Sequence, residues 1–308
     1  MQGDINDLID LNPALSDIYP HKSIHSIEIE KEMPIWDGPG EADFSAMLRK
    51  QIKIVFVCFI NRSGSNYLLD LIAQLGFGAK PTDEAFNSDQ VIARCRRNNI
   101  SSFAGYLAKI VMANAKDGFC FLKIGGEQLF WLTKHGLLSR MISAGTVPRF
   151  IFMSRADKIA QAVSFFIAET TGRFSEAKGG DRSDDEPLIE YDAAKILSRL
   201  RYVDYQAHLF SLFFTLHGLD YLPITYETLL ADPNDTLREI LSYVGAEDGI
   251  ADRLASIDTT GKTLVRQGGA LNRDLIDRFR NDFRLQSQAP GLANSDWHVE
   301  SGSGLVEA

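Results

Sequence analysis

Three short, dense runs of apolar residues stand out along the chain: IKIVFVCFI at 52–60, FCFLKI at 119–124 and RFIFMS at 149–154. Runs of this length, rich in β-branched residues and Phe and lacking strict alternation, read as strands buried on both faces. The first runs directly into NRSGSN and then into NYLLDLIAQL, where Tyr67, Leu68, Leu71, Ile72 and Leu75 share one helical face and Gly76 marks the stop. A helix is expected from near Asp157 after the third run. A long helical stretch from about Tyr191 to His217 precedes a strand at YLPITY, 221–226, and Asp232-Pro233 opens a helix that ends at Gly245. Strands alternating with helices predict an α/β fold, with a central parallel sheet flanked by helices on both faces.

The flanks read differently. Residues 1–50 carry Pro13, Pro20, Pro34 and Pro39 and show no sustained period, so they are expected to form an extension that wraps the domain or reaches a neighbouring subunit. The main domain spans 51–286. Within it SEAKGGDRSDDEP, 175–187, reads as a polar surface loop, and 287–308 as a flexible tail.

Composition narrows the function classes. At 308 residues, 45% hydrophobic and 24% charged, the chain has the make-up of a soluble globular protein. Its longest apolar run falls far short of the roughly 20 residues that span a bilayer. The acidic start MQGDINDLIDLNPALSD lacks a basic n-region and apolar centre, so a cytoplasmic location is expected. Cys58, Cys95 and Cys120 form no CxxC pair, and neither a zinc site nor any other metal is expected. A formal net charge of −9 argues against general nucleic-acid binding, which depends on neutralising many phosphates. An anionic ligand would have to be held by local cations.

The loop after the first strand offers such a place. A tight turn from strand to helix presents backbone N–H groups to one point, and the helix N-terminus adds about half a positive charge. Gly64 permits close backbone approach, Ser63 and Ser65 add hydroxyls, and Arg62 supplies a permanent cation. The spacing is not the GxxxxGK[ST] of nucleotide triphosphatases. On this segment alone an anion site and a plain helix cap are equally good readings. A second constellation favours the anion site: Arg155 lies just past the third strand, and Ser164 lies on the following helix, sharing a face with Asp157 and Gln161. An Arg and a Ser brought to one end of the sheet could grip a second phosphate; taken singly, they read better as a surface Arg and a Ser bonded to its own helix.

Together these segments resemble the PAPS (3'-phosphoadenosine 5'-phosphosulfate)-dependent sulfotransferases, most closely the bacterial trehalose 2-sulfotransferase family. The resemblance rests on RSGS at 62–65, PTDEAFN at 81–87, Lys123 and Gln128 in FLKIGGEQ, RADKIAQAVSFFIAETTGRF at 155–174, ITYETLLADP at 224–233, and Arg266-Gln267 with the downstream DRFRNDF. It implies a P-loop-like sulfotransferase fold over about 54–283. It also implies that Arg62, Ser63, Gly64, Ser65 and Asn66 cradle the 5'-phosphosulfate, that Arg155, Ser164, Arg266 and Gln267 hold the 3'-phosphate side, and that adenosine 3',5'-bisphosphate is the product. The acceptor would be a hydroxyl of a sugar or glycolipid, and the assembly a homodimer.

Two departures matter. Asn66 stands where the family loop continues with Thr. One extra residue between Pro81 and Phe86 makes Asp83 and Glu84 competing candidates for the catalytic base; Glu84 keeps the acid-x-Phe spacing. Lys123 is a further catalytic candidate, touching the phosphosulfate or pairing with an acid. The rival readings are a nucleotide-dependent phosphoryl transferase and a non-catalytic nucleotide-binding module. His135, His208 and His217 are isolated and read as structural or surface residues.

Overall fold

The computed structural model describes residues 23–81, 83–174, 189–246, 250–255, 257–258 and 269–284. Four strands, β1 (Lys53–Phe59), β2 (Phe119–Ile124), β3 (Arg149–Ser154) and β4 (Leu222–Thr225), form one parallel sheet in the order β2-β1-β3-β4. The register pairs Cys58 with Ile124, Phe59 with Met153 and Ser154 with Thr225. The carboxyl ends of all four strands therefore finish along one edge. Open α/β sheets bind their ligands at that edge.

Alternate residues of each strand supply the two faces. On one face Ile54, Phe56, Cys58, Cys120, Leu122, Ile124 and Phe150 pack with Phe103, Phe130, Phe210 and Phe213. On the other, Val55, Val57, Phe121, Ile151, Met153 and Ile224 pack beneath Leu68, Leu71, Leu237 and Ile240. Burial of both faces accounts for strands that read as continuous apolar runs. The three cysteines are all buried, as small core residues.

The N-terminal stretch differs from expectation. Where the sequence shows no period, residues 23–48 form two helices, α1 (Ile24–Glu32) and α2 (Gly38–Leu48). Each is started by a side-chain cap: Ser23 accepts from Ser26 N at 3.1 Å, and Asp37 accepts from Gly40 N at 2.6 Å. Pro39 sits in the first turn of α2, where its missing N–H costs nothing. Ile29, Phe44 and Met47 join the core of the sheet's first face. Each helix contributes only one or two buried apolar residues, too few for a periodic pattern to register.

After β1 come α3 (Ser65–Gln74), α4 (Ser88–Asn98) and α5 (Phe103–Asn114); α6 (Gly126–Lys134) and α7 (Leu137–Ser143) follow β2. Beyond β3 lie α8 (Lys158–Thr171) and the long α9 (Ala193–His217), then, after β4, α10 (Tyr226–Ala231), α11 (Pro233–Val244), α12 (Ile250–Ala255) and α13 (Ala270–Asp282). The helices expected near Asp157, up to His217 and from Pro233 begin and end within two residues of the sequence signals, with Asp157, Asp192 and Asp232 as their caps. A third cluster joins Ala162, Val163 and Phe166 of α8 to Ile196 of α9 and to Leu275 and Phe279 of α13. The segment 277–283, expected to resemble a cofactor loop, is therefore helix and helix end rather than loop. The 175–187 loop, the 287–308 tail, Arg266 and Gln267 lie outside the described residues. No described helix is long and apolar enough to cross a membrane.

Candidate active site

The chain leaves β1 and turns sharply into α3. Arg62 has φ +67° and Gly64 φ +90°. Both values lie in the left-handed region, which glycine enters at little cost and other residues seldom do. A Cβ on Gly64 would lie 2.4 Å from Tyr226 Cδ2, so this position also requires the absence of a side chain. As the N-cap of α3, Gly64 offers no side-chain acceptor to the first N–H groups of the helix. Most other helices here carry a Ser, Asp, Asn or Thr cap. Ser63 is fully buried; its N–H donates to Ile60 O at 2.9 Å, but its Oγ has no hydrogen-bond partner in the protein. A buried hydroxyl without a partner costs about 1 to 3 kcal/mol, which a ligand would recover.

Helix α8 is tied to this turn. Arg62 Nε donates to Ser164 Oγ at 3.0 Å, Arg62 Nη1 donates to the Phe174 carbonyl, and Gln161 Nε2 donates to Asn61 O at 2.8 Å. The shared helical face of Gln161 and Ser164 thus meets the loop directly. Arg155 reaches the same sheet edge with different partners: its guanidinium lies 4.6 Å from the centre of the Tyr226 ring and 3.8 Å from Glu227. Glu227 also accepts from Ala156 N at 2.9 Å. Asp157 caps α8 and pairs with Arg280 at 2.8 Å. Tyr226 and Glu227 were not singled out in the sequence. The available signal was their position, one and two residues beyond the fourth strand at the same edge.

On the β2 side Lys123 is 3% exposed, and its Nζ donates to Asn66 Oδ1 at 2.8 Å and contacts Glu84 Oε1 at 3.4 Å. Burial pulls the ammonium's pKa down, and the Glu84 carboxylate opposes that shift. Asn66, the departure from the Thr of the family loop, is the group that links this lysine to the turn.

The two adjacent carboxylates have different surroundings. Asp83 Oδ1 lies 3.0 Å from Arg94 Nη2, with the Asp83 side chain 9% exposed; the Glu84 side chain is 44% exposed. Arg94 also donates to Tyr106 Oη at 3.4 Å, and Tyr106 donates to Ala85 O at 2.9 Å. Gln128 holds the next residue, donating to Phe86 O at 3.1 Å while accepting from Gly125 N at 2.8 Å. At the start of α4, Ser88 N donates to His25 Nδ1 at 3.3 Å and Ser88 Oγ donates to Glu28 of α1. The segment around Glu84 is therefore fixed by bonds from β2, α4, α5, α6 and α1, with the Glu84 carboxylate left accessible.

His135 pairs with Glu30 at 3.0 Å, away from this cluster. The His217 ring lies tilted against that of Phe213, 4.7 Å between centres, and burial lowers its pKa. Among the described residues, no three His, Cys, Asp or Glu side chains converge to hold a metal.

In known proteins, the family model described as Stf0 sulphotransferase matches residues 127–282, just over half of the chain. The match takes in Arg155 and Ser164 and begins after Arg62, Glu84 and Lys123. No curated protein matches the chain.

Proposed function

Because the chain belongs to the Stf0 sulphotransferase family, we propose that this sulfotransferase uses PAPS as donor and a hydroxyl of a carbohydrate or glycolipid as acceptor. The observation that carries this reading is the buried, unpartnered Ser63 Oγ inside a turn whose Arg62 is bonded to Ser164. A plain helix cap would not bury a hydroxyl without a partner. The donor set fits a phosphosulfate: a guanidinium, two serine hydroxyls and the N–H groups at the start of α3, with no side-chain acceptor from the cap competing for them.

PAPS would supply the sulfuryl group and, in adenosine 3',5'-bisphosphate, a stable leaving group. The chain's own residues have three tasks. Arg62, Ser63, Gly64, Ser65 and Asn66 hold the 5' side and stabilise negative charge as it develops there. Arg155 and Ser164, with Arg266 and Gln267 beyond the described residues, hold the 3' side. Glu84 takes the proton of the attacking acceptor hydroxyl. Asp83 is committed to Arg94, whereas Glu84 is open to an incoming hydroxyl and keeps Lys123 beside it. Lys123 orients Glu84 and Asn66 together, so the base and the donor loop share one buried cation. The family resemblance adds a homodimer to this reading.

Thermal unfolding tests the donor. At a hundred times its dissociation constant, adenosine 3',5'-bisphosphate is expected to stabilise the protein by about 2.7 kcal/mol. Arg155→Ala is expected to need a higher bisphosphate concentration for the same shift. Stabilisation by ATP with magnesium and none by the bisphosphate would instead indicate a phosphoryl transferase.

A further inference from the structure

Glu227 is neither the proposed base nor a proposed donor ligand, yet its carboxylate faces the whole connection that carries Arg155. Ser154 and Thr225 are register partners at the ends of β3 and β4, so 155–157 and 226–227 leave the sheet side by side. There Glu227 Oε2 accepts from Ala156 N at 2.9 Å, Oε1 accepts from Asp157 N at 3.4 Å, and Oε1 lies 3.8 Å from Arg155 Nε. One side chain thus spans three consecutive residues between β3 and α8. Asp157 in turn caps α8 by accepting from Ala160 N at 2.9 Å, and α8 carries Ser164.

The Arg155 guanidinium is held from two directions. Its central carbon lies 4.6 Å from the centre of the Tyr226 ring, close enough for a cation–π contact, and Glu227 lies beside Nε. A separation of 3.8 Å is an ionic contact but too long for a hydrogen bond. The buried Nε accordingly has no hydrogen-bond partner among the described residues. The pairs Arg280–Asp157 and Arg96–Glu32, by contrast, close to 2.8 and 2.6 Å. Glu227 therefore steadies the cation without occupying its Nε–H, and a guanidinium keeps five N–H donors for an incoming anion. Ordering a long, flexible side chain before the ligand arrives reduces what binding must supply.

From this arrangement we infer that Glu227 is a positioning residue that acts through Arg155: it sets the guanidinium for the 3'-phosphate and so enforces a preference for adenosine 3',5'-bisphosphate over adenosine 5'-monophosphate, which lacks that phosphate. The inference rests on the donor reading above. Glutamine at 227 keeps an oxygen for Ala156 N, but its amide group then meets the Asp157 N–H and the guanidinium, donor against donor. Arg155 loses its ionic neighbour and is no longer held towards the 3' side. A carboxylate that merely braced the backbone would have a different signature, an equal loss for every ligand of the site.

Calorimetric titration of the full-length protein with the bisphosphate and with the 5'-monophosphate provides the test. The wild type is expected to bind the bisphosphate at least about tenfold more tightly, as one charge-assisted hydrogen bond to the extra phosphate allows. Glu227→Gln is expected to shrink that preference by about fivefold or more, with affinity for the monophosphate within about twofold of the wild type. In sulfuryl transfer the same variant is expected to raise KM for PAPS by a similar factor and to change kcat by less than about threefold, because the base is untouched. In an Arg155→Ala background the substitution is expected to change bisphosphate affinity by less than about twofold, since no guanidinium remains to be positioned. Should Glu227→Gln fail to fold, Glu227→Asp, which keeps the charge but draws it back by one methylene, carries the same comparison. The inference is overturned if the preference stays within about twofold of the wild type, if both ligands lose affinity alike, or if the full effect persists without Arg155. A wild type that binds the bisphosphate no better than the monophosphate overturns it as well, through the assignment of Arg155. Absence of any bisphosphate binding is a separate result, because it removes the donor reading itself and this inference with it.

Discussion

Replacing Glu84 by Gln is expected to lower the turnover of sulfuryl transfer by about 10²- to 10⁴-fold while adenosine 3',5'-bisphosphate binds as before. The substitution keeps the side chain's shape and leaves an oxygen for Lys123, whose Nζ lies 3.4 Å from Glu84 Oε1, so the buried ammonium keeps an acceptor there as well as Asn66. What is lost is the ability to take a proton. Single-turnover transfer, measured beside a bisphosphate titration, separates that loss from any failure of donor binding. Asp83→Asn provides the contrast. It breaks the 3.0 Å ion pair with Arg94 and is expected to cost about 1 to 3 kcal/mol of stability while turnover remains within an order of magnitude. Abolition of turnover by Asp83→Asn, with Glu84→Gln active, would move the base to Asp83.

Gly64→Ala is expected to combine loss of stability with loss of donor binding. The backbone there has φ +90°, which costs an L-residue about 1 to 2 kcal/mol. The new Cβ would also lie 2.4 Å from Tyr226 Cδ2, and overpacking of that kind costs about 1 to 3 kcal/mol more. Relief requires Tyr226 to move, and Tyr226 carries the Arg155 guanidinium 4.6 Å from its ring centre. Both ends of the proposed donor site are thus disturbed by one methyl group. Gly145→Ala is the control: φ there is +81° and nothing lies within 4 Å of the added Cβ, so it isolates the dihedral cost. Equal destabilisation by the two substitutions, with bisphosphate affinity intact in Gly64→Ala, would mean that the approach of Tyr226 has no bearing on the site.

Strands β1, β2 and β3 were legible because they are largely buried on both faces and read as dense apolar runs; those at 119–124 and 149–154 match to the residue. The helix from Pro233 was legible from its Asp232-Pro233 start, and those expected near Asp157 and Tyr191 begin within two residues of those positions. Helices α1 and α2 were not legible, because their burial is carried by isolated residues such as Ile29, Phe44 and Met47. At the candidate site, the common face of Gln161 and Ser164 was legible from their spacing, but not that it meets the β1 turn through Arg62 and Asn61. The sequence placed Arg155 and Ser164 at one end of the sheet but could not show that they have separate partners, Tyr226 and Glu227 for one and Arg62 for the other. The distinction between Asp83 and Glu84 needed the position of Arg94, which depends on how α4 packs. Contacts made through backbone atoms, such as Arg62 to the Phe174 carbonyl, leave no side-chain pattern to read.

The burial of every thiol has a practical consequence. Cys58 and Cys120 lie on the two neighbouring strands β1 and β2, while Cys95 lies on α4 just beyond the Glu84 segment. Burial raises all three thiol pKa values, that of Cys95 to about 11 and that of Cys120 to about 12. At neutral pH a thiol-directed dye then meets neither an accessible sulfur nor a thiolate until the chain opens. The native cysteines serve as built-in reporters: labelling at Cys95 follows local release of α4, and labelling at Cys58 and Cys120 follows separation of the central strands.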